Sequence, residues 1–201
     1  MKKLNKKGFT LIELLAVIVI MAILVAVAIP AVTRYLDTAR KGTYVDNAQA
    51  AVGAVRNEVI TNSFSGSGSK MYYLNYAKGC YTHDTVNNKL VAATDKNLNA
   101  NKSACLAGNT DPKKPTYFWS DGSINNLLEK KLKNSPYGDP YSDLSFIKVD
   151  YTPSTATAPS TYKYTICLVD TAYNGILNKT DDVVTSEDVV AGKNGCTPVN
   201  N

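Results

Sequence analysis

The chain has 201 residues, of which 44% are hydrophobic and 19% charged, a composition that excludes a wholly disordered chain and a collagen-like repeat. Its formal net charge is +5, from 22 basic and 17 acidic residues. Four lysines lie in the first eight residues, so the remainder carries 18 basic residues against 17 acidic ones. A nucleic-acid-binding domain carries its positive charge in its folded part. The charge distribution therefore gives that class of protein little support.

The N-terminal segment begins basic and continues as a long apolar stretch. Residues 1–8 read MKKLNKKG, and between Phe9 and Ile29 the only polar residues are Thr10 and Glu13. As a helix, these 21 residues would measure about 31 Å, enough to cross a hydrocarbon core of about 30 Å. The lysines before the stretch predict that the N-terminus stays in the cytoplasm and that the rest of the chain lies outside.

Two ordinary explanations fit this segment only in part. A secretory signal peptide would use Ala26-Val27-Ala28 as its cleavage site, but its apolar core is usually about 7–15 residues long. A plain membrane anchor fits the length but leaves Glu13 unexplained. An ionised acid at the centre of a membrane costs about 2.5–3.5 kcal/mol, and somewhat less near an end.

A third explanation accounts for every feature. The run Lys6-Lys7-Gly8-Phe9-Thr10-Leu11-Ile12-Glu13-Leu14-Leu15 closely resembles the class III signal sequence of type IV pilins and their relatives. The resemblance implies a leader peptide at residues 1–8, which a prepilin peptidase removes by cleaving between Gly8 and Phe9, and N-methylation of Phe9. It also implies an assembly role for Phe9 and Glu13. In a bundle of such helices, the Glu13 carboxylate can pair with the Phe9 ammonium of a neighbouring chain, since each charge is costly in lipid alone.

The same resemblance implies a fold and a function. The fold is the α+β lollipop of pilins, a long N-terminal helix packed against a small antiparallel sheet. The function is that of a major-type subunit of an extracellular type IV pilus, a homo-oligomeric filament served by a separate assembly platform and motor ATPases. Before assembly the chain would be a single-pass membrane protein. A pseudopilin of a type II secretion or DNA-uptake machine is the alternative, and nucleic acid stays open as a partner.

The helix is predicted to continue beyond the membrane. Residues 9–30 form its hydrophobic half, a transmembrane and filament-core segment, and residues 31–62 form its amphipathic half. Pro30 lacks an N–H and should kink or locally open the helix. Apolar residues of the second half recur at spacings of three and four, which predicts one buried stripe. They are Val32, Tyr35 or Leu36, Ala39, Val45, Ala48, Val52, Val55 and Val59.

The head is predicted at residues 63–201. Residues 63–115 show no sustained period and are interpreted as a long connecting loop with one short element at most. An antiparallel sheet is predicted over about 116–170, with the strongest alternation of apolar residues at 145–151 and 161–169 and a hairpin loop between them. A weaker strand is predicted from 117, followed by a short helix over 124–132. Lys130, Lys131 and Lys133 form a basic patch there, which is typical of a solvated helix face.

The segment Pro136-Tyr137-Gly138-Asp139-Pro140-Tyr141 indicates a tight turn, because Pro, Gly and Asp favour turn geometry. It also resembles a segment of the major pseudopilins of type II secretion and of some Gram-positive pilins. This resemblance keeps the pseudopilin alternative in place.

Four cysteines lie on the predicted outer side, where an even count indicates disulfides. They are Cys80, Cys105, Cys167 and Cys196, and three pairings are open. The sequence-local pairing would join Cys80 to Cys105 and Cys167 to Cys196, each bond stabilising by about 3–4 kcal/mol in the chain-entropy model. The second pair also resembles the one that bounds the C-terminal loop of many pilins, here 167–196.

Two metal sites are weaker alternatives. Cys80-Tyr81-Thr82-His83 has the spacing to begin a zinc site with Cys105, but no second tight pair accompanies it. A cluster of acids resembles the calcium-binding loop of major pseudopilins, but EF-hand spacing is absent and a solvated acidic loop is preferred. Its members are Asp181, Asp182, Glu187 and Asp188. The chain has one histidine and no nucleophile, phosphate-loop or metalloprotease motif, so no catalytic residue, metal or cofactor is predicted.

Overall fold

The structure is a computed structural model, and it describes residues 9–62, 68–99, 101–110, 116–180, 183–192 and 195–198. The chain divides between Arg40 and Lys41 into two compact units. A long helix, α1, spans Leu11–Thr61 and supplies the first unit and the start of the second. The rest of the second unit is built mainly from strands, so the fold is α+β, as the sequence predicted.

The helix α1 is continuous through Pro30, which lies inside it, and Thr33 Oγ1 donates to the Pro30 carbonyl at 3.1 Å. Residues 31–40 are exposed throughout, so the predicted buried stripe is wrong in this part of the helix, including Val32 and Tyr35. Burial begins at Tyr44, in the part of α1 that belongs to the second unit. From there the stripe is found as predicted. The buried members are Tyr44, Ala48, Ala51, Val52, Val55 and Val59.

Within the described residues, the second unit has nine strands and two further short α-helices. The strands are β1 (Gly68–Tyr73), β2 (Gly79–Asp84), β3 (Lys89–Ala92), β4 (Tyr117–Ser120), β5 (Gly122–Ser123), β6 (Phe146–Thr152), β7 (Thr161–Val169), β8 (Asn174–Thr180) and β9 (Val189–Ala191). The helices are α2 (Lys102–Ala107) and α3 (Ile124–Leu127), and 3-10 turns occupy Gly108–Thr110 and Ser186–Asp188.

These strands form two sheets. The larger has six strands in the order β5-β1-β6-β7-β8-β9, and the smaller has three in the order β3-β2-β4. Neighbouring strands are antiparallel except β1 and β5, which pair in parallel over two residues. The predicted hairpin is confirmed, since β6 and β7 pair from Phe146 opposite Cys167 to Thr152 opposite Thr161.

The prediction of a connecting loop over 63–115 is wrong, because that range holds β1, β2, β3 and α2. In β1, Met71, Tyr72 and Tyr73 are all buried, so both faces of the strand are covered and the alternation that marks a half-exposed strand is absent. In β2 and β3 only Cys80 and Leu90 are buried, which leaves too few apolar residues to show a period. The sheet also extends past residue 170 into β8 and β9.

The predicted helix over 124–132 is shorter than expected. The helix α3 ends at Leu127, and Glu129 and Lys130 adopt positive φ angles of 52° and 62°, which no α-helix continues. The lysines at 130, 131 and 133 therefore follow the helix in an irregular segment. Their interpretation as a helix face is wrong.

Both faces of the larger sheet are buried. On one face, Ile147 and Ile166 pack with the second half of α1. On the other, Phe146 and Val169 pack with Leu90 and Phe118 of the smaller sheet. Consecutive strand residues point to opposite faces, so each of β6 and β7 contributes to two apolar layers.

Three tyrosines fix the second half of α1 in the head. The Tyr44 hydroxyl donates to the Asn174 carbonyl at 2.9 Å, and its ring lies 5.4 Å from that of Tyr141 and 6.4 Å from that of Tyr137. Asn47 Nδ2 donates to the Tyr141 hydroxyl at 2.9 Å, and burial raises the pKa of Tyr141 to about 12. The segment 136–141 is the tight turn that the sequence predicted, with Gly138 at a φ of 105°.

Candidate processing and assembly site

The first turn of α1 is closed by Thr10 and Glu13. The Thr10 backbone N–H donates to Glu13 Oε2 at 2.8 Å, and the Thr10 hydroxyl donates to the same oxygen at 2.8 Å. In return the Glu13 backbone N–H donates to Thr10 Oγ1 at 3.3 Å. Thr10 precedes the helix and Glu13 is its third residue, so the pair is a capping box that satisfies helix N–H groups lacking an intrahelical partner.

The apolar side chains in and around this turn, and along the helix beyond it, are exposed, which is unfavourable in water. Phe9 is 92% exposed and Ile12 72%, and no residue from Phe9 to Arg40 is buried. Among the described residues, α1 is the one helix long and apolar enough to cross a membrane, judged by length and composition. An apolar surface of this extent marks contact with lipid or with other protein chains. The segment fits a membrane-anchored precursor.

Comparison with known proteins identifies this region. Residues 3–29 match the profile described as the prokaryotic N-terminal methylation motif. The chain carries the class III signal of type IV pilins and pseudopilins. The motif implies processing by a prepilin peptidase and pilin-type assembly, and it points to a structural protein rather than an enzyme. Comparisons with curated proteins and with solved structures find no match.

The sequence singled out Gly8, Phe9 and Glu13 but missed Thr10. Gly8 lies outside the described residues, so only the Phe9 side of the junction is seen. Phe9 and Glu13 are four residues apart: Phe9 lies two residues before the helix begins, and Glu13 lies in its first turn. The Thr-x-x-Glu spacing before an apolar run is the signature of a capping box and would have revealed Thr10.

The four cysteines form two disulfides in the head. Cys80 of β2 is bonded to Cys105 of α2, with a sulfur–sulfur distance of 1.98 Å. Cys167 of β7 is bonded to Cys196 at 2.15 Å. Both bonds are buried, and their cysteines are 25 and 29 positions apart in the sequence. This is the sequence-local pairing.

The disulfides exclude the zinc alternative in the oxidised protein, since neither Cys80 nor Cys105 is a free thiolate. His83 instead lies against Asn88, with Nε2 and Oδ1 3.2 Å apart. Of the proposed calcium ligands, Asp181 and Asp182 lie outside the described residues, and no cluster able to hold a metal occurs in the described ranges.

Asp188, the last of those acids, has a structural partner. It accepts from Lys179 Nζ at 2.9 Å and from the Thr185 backbone N–H at 2.8 Å. The bond from Lys179 holds the pKa of Asp188 below its usual value, with the Thr185 contacts adding to the effect. The carboxylate therefore ties β8 to the turn that leads into β9.

Proposed function

We propose that this chain is the major-type structural subunit of an extracellular type IV pilus. A prepilin peptidase cleaves it between Gly8 and Phe9 and methylates the Phe9 nitrogen, which leaves a mature chain of 193 of the 201 residues. Identical subunits then assemble into a helical filament. The observation that carries the proposal is an exposed apolar stretch, from Phe9 to Ile29, whose single acid, Glu13, lies in the first turn of α1.

The two environments of the helix explain why assembly needs that acid. Lipid tails are as apolar as the helix itself, so transfer from the membrane to a filament core gains little from the hydrophobic effect. Packing and polar contacts must then provide the attraction and the register. A carboxylate at one fixed depth and an ammonium on the neighbouring Phe9 meet both needs.

The geometry of Glu13 allows it to bind the Phe9 ammonium of a neighbouring subunit in addition to Thr10 of its own chain. Both bonds from Thr10 reach Oε2, so within the described residues Oε1 is available to accept from a neighbouring ammonium. Glu13 can close the first turn of its own helix and pair with another subunit at the same time. The incoming subunit would then meet a carboxylate that is already oriented.

The proposal also covers location and partners. Before assembly the protein is a single-pass membrane protein with its N-terminus in the cytoplasm and its head outside, where disulfides persist. An assembly platform and motor ATPases, which are separate proteins, would drive its extraction into the filament. Two disulfides in the head support exposure outside the cell.

A pseudopilin of a secretion or DNA-uptake machine is the second candidate. It is favoured by the turn 136–141, which resembles a segment of major pseudopilins. The turn is held by Gly138 N–H donating to the Ser135 carbonyl at 2.9 Å, and Tyr137 and Tyr141 from it pack on Tyr44. The two candidates share the chemistry of processing and differ in the length and location of the fibre.

Electron microscopy of filaments sheared from cells, with peptide identification by mass spectrometry, tests the proposal. We expect long surface filaments in which peptides of this chain are the main component. A strain expressing Gly8→Arg, which blocks the cleavage junction but leaves the head unchanged, is the matched control and should show none. The pseudopilin function replaces the pilus function if two results are found together. The chain stays in the membrane fraction of wild-type cells, and cells that lack the chain lose secretion or DNA uptake.

A further inference from the structure

A cleft of about 820 Å³ opens on the head, and its lining residues are far in the sequence from the apolar half of α1. Its walls come from four places: the turn between β2 and β3, the region around α3, the segment after Pro140, and the turn between β7 and β8. This volume is in the range of sites for small ligands, which is about 300–1,000 Å³. Neither the processing motif nor the apolar half of α1 contributes a residue to its lining.

The lining of the cleft is rich in hydrogen-bond donors. Lys89, Lys130 and Lys133 line it, all three exposed, with Asn88 and Asn126 between them. Among the described residues, no carboxylate lies within ion-pair distance of Lys130 or Lys133. Ammonium groups donate and never accept, so this lining suits a ligand that carries acceptors and negative charge.

Both carboxylates of the cleft accept hydrogen bonds from within the protein. Asp143 accepts from Asn75 Nδ2. Asp170 is fully buried and accepts from Ser135 Oγ at 2.7 Å and from the backbone N–H groups of Ala172 and Asn174 at 3.0 and 2.8 Å. Asp170 is fully enclosed by these donors, whereas Asp143 is exposed and uses only one oxygen. Three exposed lysines line the cleft against these two acids, so its net charge is positive and favours an anion.

Backbone strain is concentrated around the cleft. Three of its lining residues, Asn88, Lys130 and Tyr173, have φ angles of 49°, 62° and 64°. For a lysine or a tyrosine this conformation is unfavourable, and it persists where the surroundings impose it. Such residues gather at ligand sites, because the strain holds a side chain in the place that binding needs.

Tyr173 adds a flat surface at the rim. The residue is 42% exposed and lines the cleft, so part of a large aromatic side chain meets solvent at the edge of a polar site. An aromatic ring with a polar hydroxyl suits a partner with one apolar face and a polar edge. A sugar ring has this character, with C–H bonds on its faces and hydroxyl groups around it.

From these features we propose that the cleft binds an acidic oligosaccharide. The carboxylate of the sugar lies between Lys130 and Lys133, its hydroxyl groups meet the amides of Asn88 and Asn126, and one sugar face rests on Tyr173. The pilus subunit would thereby recognise a surface polysaccharide through its head. Single-stranded nucleic acid is the less suitable ligand, because it needs a basic groove that follows the backbone and several stacking aromatics.

Isothermal titration with the full chain in nonionic detergent micelles tests the proposal. Sialyllactose and a hyaluronan tetrasaccharide are the acidic probes and differ in whether the acid is terminal or internal. Lactose is the neutral control, and a single-stranded DNA oligonucleotide tests the other class of ligand. We expect at least one acidic probe to bind, with lactose at least tenfold weaker. The Kd of the acidic probe that binds should rise when NaCl is increased from about 50 to about 500 mM, because salt screens exposed charges.

The chain supplies a matched pair of variants. Lys130→Gln combined with Lys133→Gln should raise the Kd of the bound acidic probe at least tenfold. Lys131→Gln removes a neighbouring charge that does not line the cleft and lies 4.0 Å from Glu129, and it should change the Kd less than twofold. Failure of both acidic probes to bind, equal binding of lactose, or an equal effect of Lys131→Gln would overturn the proposal. So would binding of the DNA probe alone.

Discussion

Thr10 and Glu13 satisfy each other's backbone and side-chain groups at the start of α1, through three hydrogen bonds of 2.8, 2.8 and 3.3 Å. Glu13 therefore has a local role in its own helix in addition to the proposed role between subunits. A substitution that removes the side chain affects both roles together. Variants that separate the two are required.

Glu13→Ala should leave the protein inserted and processed but unable to enter filaments efficiently. Insertion becomes easier without the charge, and the Gly8–Phe9 junction is untouched. The neighbouring ammonium loses its partner at a cost of about 3–5 kcal/mol, and at 1.4 kcal/mol per tenfold the docking equilibrium falls at least about a hundredfold. Immunoblots of membrane and sheared-filament fractions measure this, and the membrane pool should rise as filaments fall.

Glu13→Gln and Thr10→Val separate the two roles. Gln keeps an oxygen that accepts from the Thr10 N–H but carries no charge, so its filament yield should stay low. Thr10→Val removes the cap at about 1 kcal/mol yet keeps the carboxylate, so its yield should stay near that of the wild type. Wild-type yield from Glu13→Gln would show that the charge is not what assembly requires.

The mature protein should begin at N-methylated Phe9. The motif at residues 3–29 implies this processing, and Phe9 lies just before the helix. Mass spectrometry of the N-terminal peptide measures it directly. A mature start at Ile29, after Ala26-Val27-Ala28, would indicate an ordinary signal peptide, and an intact Met1 would indicate a plain anchor.

The sequence predicted the parts of the fold that carry a strong period or motif. The apolar run from Phe9 and the alternation in β7 were visible because each repeats over many residues. Met71 to Tyr73 gave no such signal, because β1 is covered on both faces. The cleft could not be predicted at all. It depends on Asn88, Lys130 and Tyr173 lining one space although they are far apart in the sequence, and a positive φ at a lysine or a tyrosine is not a local preference of those residues.

Cys167 and Cys196 should be bonded to each other in the mature protein. Replacing both by Ser should lower the free energy of unfolding by about 3–4 kcal/mol, since the unfolded chain regains the freedom of the loop. Peptide mapping without reductant identifies the bond, and urea unfolding measures the loss. Two free thiols at these positions in exported protein would contradict the structure.

Asp188→Asn should destabilise the head at neutral pH and not at low pH. The pKa of Asp188 is lowered in the folded state by the bond from Lys179, so its ionised form stabilises the fold above the usual aspartate pKa of about 3.9. That contribution disappears as the pH falls through the folded-state pKa. Thermal unfolding should therefore show that the variant loses about 1 kcal/mol in free energy of unfolding at pH 7. The loss is small because both side chains of the pair are partly exposed, and it should vanish toward pH 2. An equal loss at both pH values would assign the effect to packing.

Gly175→Ala should damage the contact that fixes α1 in the head. Gly175 has a φ of 149°, and a Cβ there would lie 2.1 Å from the Leu168 carbonyl oxygen and 2.6 Å from the Tyr44 hydroxyl. The strand pairing between β7 and β8 holds that carbonyl in place, so the backbone must move and the Tyr44 hydrogen bonds to Leu168 and Asn174 must break. Strain and lost bonds together should lower the free energy of unfolding by about 3 kcal/mol.

The same chemical change at Gly53 is the control. Gly53 lies inside α1, and a Cβ there would meet nothing within 4 Å, so Gly53→Ala should raise the free energy of unfolding by about 0.5–1 kcal/mol. Urea unfolding of the full chain in detergent micelles, followed by near-ultraviolet circular dichroism of the tyrosines, measures both variants. Opposite signs are expected, because one added methyl group meets a fixed carbonyl and the other meets open space. If Gly175→Ala is as stable as the wild type, the Tyr44 hydroxyl does not lie over Gly175, and another contact must hold α1 to the sheet.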